Sequence, residues 1–450
     1  MRENQMRGDK KHVRLRKIGE ADMTTEGYAD TFYTRTLADE AGFPQLKGTV
    51  EADVCIVGGG IAGISTAWEL TQRGLSVVVL EKNRIAFGAS GRNGGILSAG
   101  FAGPDSALFR AGKKAGKALY ALSQEGVRAV IDNTRDLDLK GVDPVPGRIS
   151  ASRYPDARGM QESVQHARDT FAHMKEYLPK DELRKYIKTN RFYDGYYDPD
   201  SWHIHPLNYC KGLAERIVEN QGQVFENSAM ISFDHTGAEK ILRCEKGVVK
   251  AKYIVLCGSG YSGPEFGRLQ KSLLPIATYV ISTEGLGDRL DGLMNTKCAV
   301  ADTRLSCDYF RVTPQGELLW GGGMSGLAKS PPNLDQRMKN RILEVFPKLS
   351  DVKIGISWTG LMGYSRHKMP YVRELSPGIW TATALGGHGL NTGPAIGRVV
   401  AEAIAEKGTR YQLFEPFGLR WNGSIFGPLA ADAICAASNL SHRIRERFTG

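Results

Sequence analysis

The sequence lacks the features that mark membrane-spanning and secreted proteins. No apolar run reaches the roughly 18 residues that a spanning helix requires, and the N-terminal segment has no apolar stretch of the kind found in a secretory signal. The seven cysteines are scattered and form no C-x-x-C pair. An odd number of cysteines without paired spacing fits a reducing compartment better than a disulfide framework. We therefore expect a cytoplasmic protein with no transmembrane segment.

A long basic run is also missing, although the net charge is +10. Part of the excess lies in residues 1–23, and the rest is spread along the chain. A nucleic-acid-binding surface needs clustered positive charge, so we expect no nucleic-acid partner. Residues 1–49 are predicted to form a polar tail and an irregular lead-in, and the sequence leaves open whether Met1 or Met23 is the start.

Glycine, by contrast, is abundant, and some of the 53 glycines fall where a dinucleotide-binding turn needs them. Gly58, Gly60 and Gly63 form a G-x-G-x-x-G motif. The motif lies between a predicted strand at residues 52–57 and a predicted helix at residues 61–73, and a second apolar strand follows. A strand, glycine turn, helix and strand in this order form the β-α-β unit that binds a dinucleotide.

Each glycine of the motif has its own purpose. Gly58 permits the tight turn, Gly60 lets a pyrophosphate approach the backbone, and Gly63 lets the helix pack closely on the strand. The first-turn N–H groups of the helix, at Ile61 and beyond, would face the phosphates. Glu81 ends the second strand, where its carboxylate can accept hydrogen bonds from ribose hydroxyls and would repel the 2′-phosphate of NADP.

Two further glycine-rich stretches favour a tightly bound FAD over a mobile NAD. Residues 90–95 (SGRNGG) offer successive backbone N–H groups with small side chains. Residues 386–389 (GGHG) precede a helix predicted at about residues 392–406. The N-terminus of that helix would stabilise negative charge on a reduced flavin by about 1 kcal/mol.

Four long segments carry a family resemblance. CIVGGGIAGISTAWEL, VVVLEKNRIAFGASGRNGG, YIVLCGSGYSG and LGGHGLNTGPAIGRVVAEAI resemble the D-amino-acid oxidase, glycine oxidase and sarcosine oxidase family of flavoproteins, over roughly residues 50–410. HIHPLN (203–208), LLWGGG (318–323) and SWTGLMGYSRHKMPYV (357–372) are similar to the gamma-glutamylputrescine-oxidising members of that family.

The resemblance implies an FAD cofactor and a set of residues that hold it. Relatives of the sarcosine oxidase type attach their flavin to a cysteine near the position of residues 360–362 here, and no cysteine lies between residues 308 and 434. We therefore expect non-covalent FAD. The expected cofactor-binding residues are Gly58, Gly60, Ile61, Ala62, Gly63, Glu81, Lys82, Ser90, Gly91, Arg92, Asn93, Gly94, Gly95, Gly258, Gly387, His388, Gly389 and Leu390.

The implied chemistry is hydride transfer from the carbon that bears a neutral amine, followed by hydrolysis of the imine. The candidate catalytic or substrate-contacting residues are His388, Arg92, His205, Tyr309 and Arg311, and no metal site is expected. His205 either faces the active site or caps a helix. Arg311 either binds a substrate carboxylate or has a buried structural role.

Several functions stay open at this point. The favoured one is oxidation of a gamma-glutamylputrescine-like amine, or of an amino acid, with O2 as the acceptor. An amino-acid dehydrogenase for a proline-like or pipecolate-like substrate, passing electrons to a quinone, is the alternative. A tRNA-modifying flavoprotein and a non-catalytic FAD-binding subunit are further alternatives, and the oligomeric state is not predicted.

A chain of 450 residues is too long for one compact core. We expect an α/β fold in which a Rossmann-like FAD-binding domain is interleaved with an antiparallel-sheet substrate domain. The expected segments are residues 50–110, 200–270 and 355–410 for the FAD-binding domain, 111–199 and 271–354 for the substrate domain, and 411–450 for a C-terminal helical extension.

Overall fold

The computed structural model describes residues 27–263 and 267–449, with side chains as far as residue 446. The predicted tail at residues 1–23 lies outside the described residues. The strands are β1 (Gly48–Val57), β2 (Val77–Leu80), β3 (Ile96–Leu97), β4 (Val145–Ala151), β5 (Glu176–Leu178), β6 (Gly195–His203), β7 (Gln223–Phe225), β8 (Ser232–Asp234), β9 (Lys240–Arg243), β10 (Gly247–Leu256), β11 (Leu274–Thr283), β12 (Ala299–Asp302), β13 (Tyr309–Val312), β14 (Leu318–Ser325), β15 (Ile354–Tyr364), β16 (Tyr371–Ser376) and β17 (Ile379–Thr383). The α-helices are α1 (Phe32–Arg35), α2 (Ile61–Thr71), α3 (Asp105–Leu108), α4 (Lys113–Asp136), α5 (Ala157–Phe171), α6 (Lys180–Tyr186), α7 (Pro206–Glu219), α8 (Gly267–Gln270), α9 (Leu334–Val345), α10 (Gly389–Glu406) and α11 (Phe426–Thr449).

The first sheet has the order β16-β17-β10-β1-β2-β7, with the β8–β9 hairpin added beside β10. Its strands from β17 to β7 are parallel, as the β1–α2–β2 crossover requires. All four residues of β2 are buried. Val77 and Val79 pack with residues of α2, α7 and α10, whereas Val78 and Leu80 pack on the other face with residues such as Met230 and Leu242. Helix α2 packs against both α7 and α10.

The second sheet has the order β15-β11-β14-β13-β12-β4-β6-β3 and is antiparallel except where β12 runs parallel to β4. Its core contains Phe310 and Trp320, whose rings stack with centroids 4.2 Å apart. The α/β fold class, with a Rossmann-like part interleaved with an antiparallel-sheet part, is confirmed by these two sheets. The chain passes back and forth between the two sheets, so each sheet is built from segments that are distant in the sequence.

Some segments differ from the sequence-based expectation. The apolar pattern of residues 223–233 suggests one strand, but the chain turns after β7 and forms β8, which pairs antiparallel with β9. The helix expected from residue 392 begins at Gly389. Residues 355–364 were expected in the FAD-binding part but lie in β15 of the second sheet, and α4 packs against α10 beside the first sheet. The division into domains stays a prediction.

The C-terminal helix α11 packs against β14 and β11. Arg191 pairs with Glu446 at 2.5 Å, and the Gly326 N–H donates to the Asp432 carboxylate at 2.7 Å. These contacts hold the helix against the second sheet. Within the part of the chain that the structure describes, no helix combines the length and the apolar character needed to cross a membrane.

Candidate active site

A cavity of about 460 Å³ lies between the two sheets. One side, here called the glycine wall, consists of Gly58, Gly60–Ala62, Glu81, Lys82, residues 87–90 and 92–94, Cys257, Gly258 and Gly386–Leu390. The opposite side, here called the sheet wall, consists of Arg148, Thr278, Ala301, Cys307, Tyr309 and Gly360–Tyr364. The glycine wall is formed mostly by backbone, and the sheet wall mostly by single side chains from different strands.

The glycine wall starts at the turn between β1 and α2. Gly58 has φ 109°, a left-handed conformation that side chains disfavour. A Cβ on Gly63 would lie 1.9 Å from the Gly58 carbonyl oxygen. Only glycine therefore lets α2 approach β1 this closely, and the N-terminus of α2 opens on the cavity through Gly60, Ile61 and Ala62.

Glu81 lies where β2 ends, on the cavity lining. One carboxylate oxygen accepts the Gly59 N–H at 2.7 Å, and the other accepts the Asn83 N–H at 2.8 Å. Burial raises the pKa of this carboxyl above its usual value, against the opposite effect of the two hydrogen bonds. Glu81 therefore fixes the glycine turn and also presents a carboxylate to the cavity.

The loop of residues 88–95 crosses the N-terminus of α2. The Ser90 hydroxyl accepts the Ile61 N–H at 2.9 Å. The Asn93 amide donates to the carbonyls of Ala89 and Ser90 and accepts the Gly95 N–H at 2.8 Å. Asn93 thus ties the loop to itself and gives the cavity wall a fixed backbone.

Arg92 is buried, with 5% of its surface exposed. Its Nε donates to the Phe87 carbonyl at 2.8 Å and its Nη1 to the Thr359 carbonyl at 3.2 Å. Its Nη2 has no hydrogen-bond partner among the described residues. Trp358 donates to the Arg92 carbonyl at 2.8 Å, so both the side chain and the backbone of this arginine are held in place.

The N-terminus of α10 is also part of the glycine wall. Gly387, His388, Gly389 and Leu390 all line the cavity, and the first-turn N–H groups of a helix have no partner within it. Burial, followed by the charge of Arg148, lowers the pKa of His388 to about 4. His388 is therefore neutral at physiological pH.

The second sheet contributes Tyr309, whose ring packs against the loop of the glycine wall. A Cβ on Gly94 would lie 2.3 Å from this ring. Burial raises the pKa of the Tyr309 phenol, which keeps it neutral. Arg311, two residues further along β13, does not line the cavity. Its Nε donates to the Gly94 carbonyl at 3.1 Å and its Nη2 to the Tyr33 hydroxyl at 3.3 Å, so it supports the loop from behind.

His203 and His205 lie behind the cavity wall. The Nδ1 of His205 accepts the Asn208 N–H at 3.1 Å as the N-cap of α7, and its Nε2 lies 3.1 Å from the Thr36 hydroxyl. The Nε2 of His203 lies 2.8 Å from the Lys297 carbonyl. Burial lowers the pKa of both rings to about 3, and the charge of Arg311 adds to the effect.

The cavity collects most of the sequence-predicted residues. The lining contains Gly58, Gly60, Ile61, Ala62, Glu81, Lys82, Ser90, Arg92, Asn93, Gly94, Gly258, Tyr309, Gly387, His388, Gly389 and Leu390. Gly63, Gly91, Gly95, His205 and Arg311 lie outside the lining. All of these except His205 contact residues that form it. Sequence reasoning did not select Arg148, Thr278 or Cys307. For Arg148 the one available signal was the presence of an arginine in a strand that is otherwise mostly buried.

Two cysteines line the cavity, one from each sheet. Cys257 follows β10, and Cys307 precedes β13. Burial raises the pKa of each thiol to about 12, so both are protonated and poorly nucleophilic at neutral pH. Among the residues described, no group of three or more His, Cys, Asp or Glu side chains has the arrangement of a metal site.

The sequence model of the FAD dependent oxidoreductase (DAO) family matches residues 53–403. Gamma-glutamylputrescine oxidoreductase of Escherichia coli (strain K12) is 31% identical over 391 residues, which cover 86% of this chain and 91% of that protein. The structure of glycine oxidase from Geobacillus kaustophilus is similar with a TM-score of 0.69 at 18% identity, covering 82% of this chain and 98% of that one. L-proline dehydrogenase from P. horikoshii also has a TM-score of 0.69, at 18% identity, covering 84% and 100% of the two chains. At these identities the two structures bear on the fold alone.

Proposed function

Because this chain belongs to the FAD-dependent oxidoreductase (DAO) family, we propose that it oxidises the C–N bond of a gamma-glutamylputrescine-like amine and returns the electrons to O2. It is an FAD-dependent enzyme of the amine and amino-acid oxidoreductase type. The choice of substrate is supported by the 31% identity to gamma-glutamylputrescine oxidoreductase over most of both chains. For the electron acceptor we propose O2, with a quinone as the alternative.

The observation that carries the proposal is one continuous cavity that is lined by the N-termini of two helices. The Gly58 turn, the N-terminus of α2, the Glu81 carboxylate and the N-terminus of α10 all line it. A pyrophosphate is bound by backbone N–H groups and a helix dipole, and a ribose by a carboxylate. The buried Nη2 of Arg92, left without a partner by the described residues, is one donor that a bound cofactor would complete.

We assign the residues of the glycine wall to FAD in three groups. Gly58, Gly60, Ile61 and Ala62 would hold the pyrophosphate, and Glu81 with Lys82 the adenosine ribose. The flavin would lie between the loop that contains Arg92 and the start of α10. The remaining cavity residues of this group are Ser90, Asn93, Gly94, Gly258, Gly387, His388, Gly389 and Leu390, and the close packing of Gly63, Gly91 and Gly95 keeps their backbone in place.

FAD, when bound, supplies the acceptor for the hydride that leaves the substrate carbon. The residues of the chain hold the substrate and stabilise charge. The N-terminus of α10 stabilises negative charge placed beside it by about 1 kcal/mol, and its backbone N–H groups add hydrogen bonds. The neutral His388 places no positive charge beside the substrate amine, which must itself be neutral to release its electrons.

Anaerobic mixing of the purified yellow protein with a panel of amines and amino acids tests the proposal. We expect gamma-glutamylputrescine to bleach the flavin absorbance, and air to restore it within seconds with release of hydrogen peroxide. Slow recovery in air and fast recovery with a quinone would make the protein a dehydrogenase. If no amine or amino acid bleaches the flavin, the proposed C–N oxidation is wrong.

A cytoplasmic location belongs to the same proposal. All seven cysteines are free thiols in the structure, which suits a reducing compartment. Fractionation of cells that express the full chain would test it, and recovery in the membrane or secreted fraction would contradict it.

A further inference from the structure

The C-terminal helix α11 and the residues just before it turn an apolar side toward solvent. A surface helix of a soluble monomer turns its apolar side to the core instead. Single exposed apolar residues are ordinary, whereas a cluster of them marks an interaction surface. Seven large apolar residues of this segment are between 47% and 68% exposed, namely Trp421, Ile425, Phe426, Leu429, Ile434, Leu440 and Ile444.

The opposite side of α11, which packs against β14 and β11, is small or polar. Among the described side chains of the helix, Gly427 and Cys435 are the buried ones. The Asp432 carboxylate accepts the Gly326 N–H at 2.7 Å on this side. The contacts of α11 with its own chain therefore account for its polar side and leave the apolar side largely uncovered.

The exposed side of α11 has the spacing of a helix-pairing seam. In coiled coils the a and d positions recur at alternating steps of four and three residues, and two helices interlock along them. Exposed apolar residues follow this rule on α11 at Phe426, Ala430, Ala433, Ala437, Leu440 and Ile444. The small residues lie in the middle of the seam, and small contact residues let two helix axes approach closely.

The order of large and small residues along the seam suits pairing with itself. In an antiparallel pair centred near residue 435, Ala433 would meet Ala437 of the partner subunit. Phe426 would meet Ile444 of the partner subunit at each end. A two-fold interface must be self-complementary in this way, because the same surface is used on both subunits.

The exposed area is large enough for a stable dimer. At their exposed fractions, the seven large side chains present roughly 700–900 Å² of surface. A specific protein interface buries about 800 Å² on each partner, whereas the largest apolar patch of an ordinary monomer is about 300–600 Å². The apolar side of α11 therefore matches an interface in size.

The charges near this side favour a second copy over a lipid surface. Asp432 is the one charged residue between positions 421 and 441, and its carboxylate is engaged on the opposite side of the helix. A helix that lies on a membrane has a polar face rich in Lys and Arg. The polar side of α11 packs on protein instead, and residues 408–450 contain no lysine. An uncharged face also brings no like charges together when it pairs with itself.

We propose that the exposed side of α11 is the interface of a homodimer, in which the α11 helices of two copies pair antiparallel across a two-fold axis. The inference goes beyond the proposed oxidation and does not depend on it. A seam from Phe426 to Ile444 is short, but α11 is already fixed on the second sheet. Pairing therefore does not have to order a free helix, which lowers its entropic cost.

Sedimentation of the full-length holoenzyme tests the proposal. We expect the wild type at about 10 µM to have twice the chain mass of 49.3 kDa. Leu440→Glu and Ala437→Glu each place a carboxylate in the seam, and burying that charge should weaken dimerisation at least 100-fold. Ile231→Glu is the matched control, since Ile231 is 66% exposed and lies outside α11, and this variant should stay dimeric.

Three results would overturn the proposal. They are a wild type that stays monomeric at about 100 µM, a Leu440→Glu variant that dimerises as the wild type does, and loss of FAD from both α11 variants. The last result would show that this side of the helix stabilises the single chain. Sedimentation needs no substrate, so its outcome is independent of whether any amine bleaches the flavin.

Cosedimentation with phosphatidylglycerol vesicles distinguishes a second copy from a lipid surface. We expect the dimeric wild type to stay in solution. Binding of a monomeric wild type that Leu440→Glu abolishes would assign the face to lipid and make the homodimer proposal wrong.

Oxidative cross-linking tests the antiparallel arrangement. Tagged Phe426→Cys is mixed with untagged Ile444→Cys, and the wild type controls for its native thiols. We expect a disulfide between tagged and untagged chains in the mixture and much less in either variant alone. Efficient cross-linking of each variant with itself would show a parallel pair and overturn the antiparallel arrangement.

Discussion

The two walls of the cavity are built on different principles. The glycine wall depends on residues that lack side chains, at fixed spacing in continuous stretches of sequence, such as Gly58 to Gly63 and the loop of residues 88–95. The sheet wall depends on individual side chains, such as Arg148, Thr278 and Tyr309, which come from β4, β11 and β13. The comparison teaches that a backbone-built site can be found from sequence spacing, whereas a side-chain-built site needs the fold.

The largest expected effect comes from filling the closest approach in the glycine wall. In Gly63→Ala the new Cβ would lie 1.9 Å from the Gly58 carbonyl oxygen, and this backbone atom cannot move without opening the turn. We expect loss of FAD binding and a destabilisation of about 3 kcal/mol or more, measured by flavin content per chain and by urea unfolding. Gly292→Ala is the control, since a Cβ there meets nothing within 4 Å. Retention of FAD by Gly63→Ala would show that the wall is less tightly packed than this geometry requires.

The difference between the glycine wall and the sheet wall also explains which parts of the structure could be predicted from the sequence. Both strands and the helix of the first β-α-β unit were expected, because the glycine motif and the apolar runs are local signals. The end of β1 and the start of α2 fall where they were expected, whereas β1 begins four residues earlier and α2 ends two residues earlier. The cavity collects most of the cofactor residues chosen from those motifs. Arg148 was missed because nothing in the segment VPGRISA shows that it lines the same cavity as the start of α10, some 240 positions later. The placement of residues 355–364 in the second sheet was missed for the same reason, since pairing partners are not visible in one strand.

Two buried histidines behind the cavity wall should make the stability of the folded protein sensitive to acid. His203 and His205 have pKa values of about 3 in the folded protein, well below the usual 6.5. Between these values the unfolded chain binds protons that the folded chain does not, so the free energy of unfolding falls as pH falls below about 6.5. From pH 6.5 to pH 5 the expected loss is roughly 2 kcal/mol for each histidine, measured by urea unfolding at each pH.

His205→Asn separates this effect from general acid sensitivity. An asparagine can still cap α7 but does not titrate in this range, so about half of the predicted loss should disappear. His166→Asn, which removes an imidazole from the surface of α5, is the control and should keep the full loss. An equal pH dependence in both variants would contradict the assignment of the effect to His205.

A smaller effect is expected at the carboxylate of the glycine wall. Glu81→Ala removes the acceptor for the Gly59 and Asn83 N–H groups, and with it the proposed ribose contact. Charge-assisted hydrogen bonds of this kind contribute about 1–3 kcal/mol, so FAD should bind roughly 10- to 100-fold more weakly. Equilibrium dialysis of the reconstituted apoprotein measures this. Glu51→Ala, at an exposed ion pair with Lys250, should leave FAD affinity unchanged, and equal affinities in the two variants would remove Glu81 from the cofactor site.

The smallest expected effect tests a feature that the two walls share. Each wall has one thiol on the cavity, Cys257 on the side of the first sheet and Cys307 on the side of the second. Both thiols have pKa values of about 12, and only the thiolate attacks an electrophile. Neither cysteine should therefore hold the flavin covalently, and acid precipitation should release all of the FAD from the wild type, from Cys257→Ser and from Cys307→Ser alike. A fluorescent flavin band on a denaturing gel would contradict this. Its disappearance in one of the two serine variants would then identify the wall to which the flavin is attached, and would show that the cofactor itself lowers the pKa of that thiol.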